Sequence, residues 1–182
     1  MRRAALVLLA AVVSQGCARL GYSDRVLHRV PSPADAALIA VCQEIPEFDG
    51  PGHDVRLERP DGTVVRPLYR IGDGDPCHEM AWATDGRTLA VLSSHVARAI
   101  VVDVARALGQ PGTAHGPWTR SVSLASQDGR QLARRLRFVA PAEIEYEVCA
   151  HQFGKGIDWR VCTAPAETRR LRLPGVTGPE RR

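Results

Sequence analysis

The side chains able to do chemistry fall into a few short clusters. Cys77-His78-Glu79 places a thiol beside a base and a carboxylate, and Ser93-Ser94-His95 places hydroxyls beside an imidazole. Asp49-Gly50-Pro51-Gly52-His53-Asp54 and Ile71-Gly72-Asp73-Gly74-Asp75 alternate carboxylates with turn residues. A nucleophile, its base and an orienting acid must converge in space. Neighbours on a strand point to opposite faces, and no G-x-S-x-G elbow occurs, so the Ser-His pair reads as a loop at a strand end. The Asp/Gly loops could give Ca²⁺ oxygen ligands, with Asp73 and Asp75 the first to test, but the distal glutamate of a calcium loop is missing. Asp-Gly is also ordinary turn vocabulary. Cys77-His78 and Cys149-Ala150-His151 lack the short C-x-x-C pairs of structural zinc sites. No catalytic residue, metal site or cofactor is expected.

The cysteines carry more information as a set. There are 5, and an odd thiol in an exported chain needs an explanation. Cys17 supplies one. Arg2 and Arg3 precede an uncharged run, Ala4 to Val13, and then small or polar residues to Gly16, the layout of an export signal. The run is shorter than the roughly 20 residues that cross a bilayer. Val13-Ser14-Gln15-Gly16-Cys17 resembles the bacterial lipobox. That resemblance implies removal of residues 1–16 and a diacylglyceryl group on Cys17. Ala18, in place of Asp, implies sorting to the outer membrane, facing the periplasm. The plainer alternative is a signal cleaved nearby, with Cys17 an unmodified thiol.

With Cys17 lipidated, Cys42, Cys77, Cys149 and Cys162 form an even set suited to an oxidising compartment. Three connectivities are possible. Residues 145–150 and 158–163 read as a hairpin around Phe153-Gly154-Lys155-Gly156, which favours Cys149 with Cys162 and leaves Cys42 with Cys77. Closing a loop of about 14 residues contributes on the order of 3 kcal/mol.

Removing the signal leaves about 166 residues, enough for one domain with a real core. Residues 17–30 form a leader, 31–174 a β-domain and 175–182 a basic tail, rich enough in Gly, Pro and charge to be disordered. The net charge is +4 and the pI near 9.0. Arginine supplies nearly all the positive charge, concentrated at Arg134-Arg135-Leu136-Arg137, Arg169-Arg170-Leu171-Arg172 and Arg181-Arg182. Nucleic-acid binding would want stacking aromatics among such patches, but aromatics are 5%. A solvated strand face, or a tail near anionic head groups, is the expected meaning. Glu143, Glu145 and Glu147 recur with period two and so share the solvent side of a strand, with Ile144, Tyr146 and Val148 facing inward.

Short β-segments dominate from Ser32 onward. Residues 38–42 are an apolar run of strand length. Residues 55–59 alternate, Pro60-Asp61-Gly62 turns, and 63–68 return; Asp-Gly between alternating segments is a strong hairpin signal. Residues 79–82 and 88–92 repeat the pattern around Asp85-Gly86. Residues 99–104 also fit a helical face, but their β-branched density favours a strand with a helical turn after it. Residues 29–42, 79–92 and 136–149 overlay as three copies of one unit, matching Asp35 with Asp85 and Cys42 with Cys149, at a spacing near that of blades and arrays.

The stretch Trp82-Ala83-Thr84-Asp85-Gly86-Arg87-Thr88-Leu89-Ala90-Val91 resembles the blade signature of TolB-like and WD40-like β-propellers, and Ser32-Pro33-Ala34-Asp35 resembles its turn. The resemblance implies antiparallel blade-like sheets. Closed propellers have about 4 to 8 blades, and this chain has length for roughly three, so the expected architecture is an all-β domain of about three partial propeller-like units, open, sandwich-like or completed by a partner. The expected role is a lipid-anchored binding domain for another envelope component, an envelope protein among the candidates. The alternatives are an envelope hydrolase with a site assembled from His53, His78, His95 or the Asp loops, and a calcium-stabilised structural domain.

Overall fold

The computed structural model describes residues 25–46, 51–71, 77–93, 97–110, 116–125, 130–151 and 161–176. Four strands, β1 (Arg25–Pro31), β2 (Ile39–Pro46), β3 (Pro51–Glu58) and β4 (Val64–Ile71), form the first sheet in chain order. The second is β5 (Cys77–Trp82), β6 (Thr88–Ser93), β7 (Arg98–Asp103) and β8 (Thr119–Ser123), again in chain order. The third is β9 (Gln131–Ala140), β10 (Glu143–Ala150) and β11 (Glu167–Arg172). Every pairing is antiparallel. One short helix, α1 (Val104–Gly109), follows β7, its first turn capped by the Asp103 carboxylate at 3.0 Å from the Arg106 amide. Among the described residues no helix is long and apolar enough to cross a membrane.

Successive sheets touch through their first strands, β1 to β5 and β5 to β9, so the three fan out from a common edge in one compact domain without closing a barrel. Burial explains the composition of each layer. The second sheet is covered on both faces: Leu89, Val91, Ile100 and Val102 pack toward the first sheet, and Ala90, Leu92, Ala99 and Val101 toward the third. That is why β6 and β7 read as unbroken apolar runs instead of alternating. Each fully buried Leu, Val or Ile contributes about 1.5–3 kcal/mol, and these two layers hold most of them.

Hairpin turns repeat one piece of chemistry. Asp35, Asp61 and Asp85 each accept, through Oδ1, the amide of the residue two positions on, at 2.9 Å in each case. Gly62 and Gly86 sit at φ +88° and +65°, conformations that suit glycine. The Gly86 turn packs on the Ser32–Asp35 turn so closely that a Cβ on Gly86 would lie 2.5 Å from the Ala34 Cβ. The matched repeats are therefore equivalent hairpins: β1–β2 in the first sheet, β5–β6 in the second, β9–β10 in the third, with Cys42 and Cys149 on equivalent second strands.

Two indoles stitch the first sheet to the second. Trp82 Nε1 donates to the Val30 carbonyl at 2.9 Å, and Trp118 Nε1 to the Leu68 carbonyl at 3.2 Å. The Arg66 guanidinium lies 5.1 Å from the Trp118 ring centroid, and also bonds the Gln110 carbonyl. Buried indoles need such partners.

The strand paired with β10 opposite β9 is Glu167–Arg172, which corrects the expectation of a local hairpin; of the expected 158–163 strand, residues 158–160 lie outside the described residues. Val161 to Thr163 follow β10 without strand pairing, held by two Thr163 bonds to the Ala150 carbonyl, from the amide at 2.9 Å and from Oγ1 at 3.1 Å.

Candidate functional site

The outer faces of the two end sheets are built from ion pairs. On the first sheet, Arg56 Nε donates to Glu58 Oε1 at 2.7 Å, and Arg56 Nη1 lies 3.6 Å from Asp54 Oδ2. Arg29 Nη1 lies 2.9 Å from Glu58 Oε2 as a charge contact without hydrogen-bond alignment. Val41, between Arg29 and Arg56 in register, is fully buried on this face; the aliphatic stems of those arginines are the groups placed to cover it. Two arginines thus meet two carboxylates, and Arg70, in register with Asp54 across β3–β4, places a third guanidinium on the same face.

The third sheet is different. Glu145 on β10 lies in register with Arg137 on β9 and Arg170 on β11. Its Oε1 accepts Arg137 Nε at 2.8 Å and also Nη2, while Oε2 accepts Arg170 Nε at 2.9 Å. Two positions on, Glu147 Oε2 accepts Arg134 Nε at 3.0 Å and Oε1 accepts Arg135 Nη1 at 2.8 Å. Four guanidiniums therefore enclose two carboxylates, leaving two positive charges uncompensated. The carboxylates are covered, Glu145 being 8% exposed, whereas the side chains of Arg135 and Arg137 are each 70% exposed and that of Arg170 64%. An open groove runs between them, lined by Arg135, Arg137, Glu145, Glu147, Tyr146 and Thr168.

A β-bulge makes this arrangement possible. The β9–β10 register shifts between Glu145 and Glu147, and Arg135 takes φ +54°. In a regular strand Arg134 and Arg135 would point to opposite faces; the extra residue re-aims one of them, so both reach Glu147. The bulge is held from the second sheet. Glu79 on β5 accepts the Arg135 amide at 2.8 Å on one oxygen and the Leu136 amide at 2.7 Å on the other. Glu79, in sequence a member of a Cys-His-Glu cluster, here ties the second sheet to the third.

Charge shapes the carboxylates. Hydrogen bonds from Arg137 and then Arg170 hold the Glu145 carboxyl below the ordinary glutamate range, against the opposing effect of burial. For Glu147 burial is the largest effect and pushes upward, but the bonds from Arg135 and Arg134 together outweigh it and the net shift is down. Both remain ionised and can only accept, so the groove offers guanidinium donors to an anion.

The other residues singled out from sequence are dispersed. Cys149 and Cys162 form a disulfide, with Cα atoms 5.6 Å apart. Cys42 and Cys77, expected from sequence to pair, are free, buried thiols in this structure. His53 is buried on β3 of the first sheet, His78 lies on β5 of the second, and Ser93 is buried at the end of β6. Cys17, Asp49, Asp73, Asp75, Ser94 and His95 lie outside the described residues. Among the described residues no group of three or more His, Cys, Asp or Glu side chains could hold a metal ion. Glu143, Glu145 and Glu147 do share the outward face, with Ile144, Tyr146 and Val148 in the core; the arginine cover over Glu145 and Glu147 was not read from sequence. The signal present there was the pair of arginine runs flanking the period-two glutamates.

No protein-family model matches the chain, and no curated protein matches it. Among solved structures, Kluyveromyces lactis Hsv2 is similar at a TM-score of 0.44 with 16% identity, over 84% of this chain and 49% of that one. The chain thus spans about half the length of that protein.

Proposed function

We propose that this chain is a lipoprotein of the bacterial envelope, anchored through Cys17 at the outer membrane and facing the periplasm, whose β-domain of blade-like sheets binds an acidic envelope protein through the outer face of the third sheet. The observation that carries the binding face is the guanidinium surplus: four arginines, three of them largely open to solvent, ordered by hydrogen bonds around one buried and one half-buried carboxylate. Guanidiniums fixed in this way lose little freedom when they meet a second carboxylate, and their planar forks suit that contact. The lipobox-like Val13–Cys17 segment supports the anchor. The Cys149–Cys162 bond suits an oxidising compartment.

The test is capture from detergent-solubilised envelopes by the full chain and by R135E/R137E/R170E. The expected result is an acidic protein retained by the wild type, released by added salt, and absent from the variant. Equal recovery on both would contradict the assignment, as would retention only of anionic phospholipid vesicles. For the anchor, radiolabelled fatty acid should enter the wild type and not Cys17→Ser; equal labelling would remove Cys17 from its role.

A further inference from the structure

Cys42 and Cys77 lie on different sheets and meet in the layer between them. Cys42, on β2, is 0% exposed and Cys77, at the start of β5, 2%. Cys42 is opposite His28 across the β1–β2 ladder, and the His28 Nε2 donates to the Cys77 carbonyl at 3.1 Å. Both thiols belong to one core cluster, and burial first, then the neighbouring Cys42 thiol, push the Cys77 thiol well above its ordinary range. The nearby Trp82–Val30 bond holds the same β1–β5 seam.

We propose that this dithiol is the site of a second disulfide, closed during folding by exchange with a disulfide-bearing oxidant, which staples the first sheet to the second. The chemistry balances in two steps. One cysteine, as thiolate, attacks the oxidant's disulfide, forms a mixed disulfide and releases one thiolate. The other loses its proton, attacks the sulfur of its partner cysteine, forms the Cys42–Cys77 bond and releases the second thiolate. Two electrons and two protons leave the pair; the oxidant is reduced to two thiols. Exchange needs a thiolate and access, and the folded core denies both, so the bond closes while the β1–β5 seam is still open and then resists reduction. The loop it closes is longer than that of Cys149–Cys162, and it joins sheets instead of neighbouring segments.

The experiment uses the full chain, denatured and reduced, then refolded with oxidised and reduced glutathione. After denaturation without reductant and alkylation, peptide mapping is expected to show a Cys42–Cys77 cross-link and no alkylated Cys42 or Cys77. The Cys149–Cys162 cross-link in the same digest reports that the oxidant worked. Chain folded in reductant and then given the same glutathione mixture should close Cys42–Cys77 at least about tenfold more slowly, because the seam must first open. Alkylated Cys42 and Cys77 beside an intact Cys149–Cys162 link would overturn the proposal, and equal rates from folded and unfolded chain would overturn closure during folding.

Discussion

Glu79 and Glu145 illustrate how far single carboxylates organise this molecule. Glu79 satisfies two backbone amides at a bulge that has no strand partner for them, and bonds to a charged acceptor contribute roughly 1.5–3 kcal/mol each. Glu79→Ala should therefore destabilise by about 2–4 kcal/mol in denaturant unfolding, and Glu79→Gln, which keeps one good acceptor, by about half that. An Ala variant within about 0.5 kcal/mol of wild type would mean the bulge does not need its clamp. Glu145, Glu147, Glu167 and Asp61 all have carboxyls held below their ordinary range in the folded state. A depressed folded pKa contributes stability above the unfolded value and loses it as pH falls through the folded one. The domain should thus lose melting temperature on acidification from neutrality through the ordinary carboxylate range and below it. Glu145→Gln should flatten that slope; a variant with the wild-type slope would show that the arginine cover does not favour the ionised form.

At the scale of elements, much was legible and the misses have physical causes. The Asp-Gly turns announced their hairpins because few residues tolerate those conformations. Gly86→Ala combines φ +65° with a 2.5 Å approach to Ala34, whereas Gly62→Ala meets φ +88° but open space. Thermal unfolding should show the first costing more than about 2 kcal/mol and the second about 1; equal costs would separate the Gly86 turn from the Ser32 turn. The Cys149–Cys162 bond is present, although the hairpin from which it was expected is not formed by a strand at Val161–Thr163, and C149S/C162S should lose about 3 kcal/mol in denaturant unfolding. The strand at 167–172 was misplaced because its pairing with β10 is nonlocal and leaves no turn signature beside β10. The β9 bulge escaped because a register shift has no residue type of its own here: Arg135 at positive φ is set by Glu79, a residue 56 positions away.

Across the whole molecule, the three hairpin units were readable from the overlay of residues 29–42, 79–92 and 136–149, with Asp35 on Asp85 and Cys42 on Cys149, whereas the charged outer faces were not, since they depend on which residues meet across strands. Those faces let the first and third of the described sheets end the stack. Terminal layers of repeated units need polar outer surfaces, and the Arg29–Arg56–Glu58 and Arg137–Glu145–Arg170 ladders supply them. Among the described residues the third sheet's outer face carries the larger guanidinium surplus, two against one, and this asymmetry selects that face for binding. The most direct measurement is site-specific photocrosslinking of the full chain in the cell, with the crosslinking residue at exposed Thr168 beside the groove or at Arg29 on the outer face of the first sheet. The account predicts a discrete adduct with an acidic envelope protein from position 168, lost when Arg135, Arg137 and Arg170 are reversed to glutamate, and none from position 29. An adduct from position 29 alone, or one from position 168 that survives charge reversal, would contradict it.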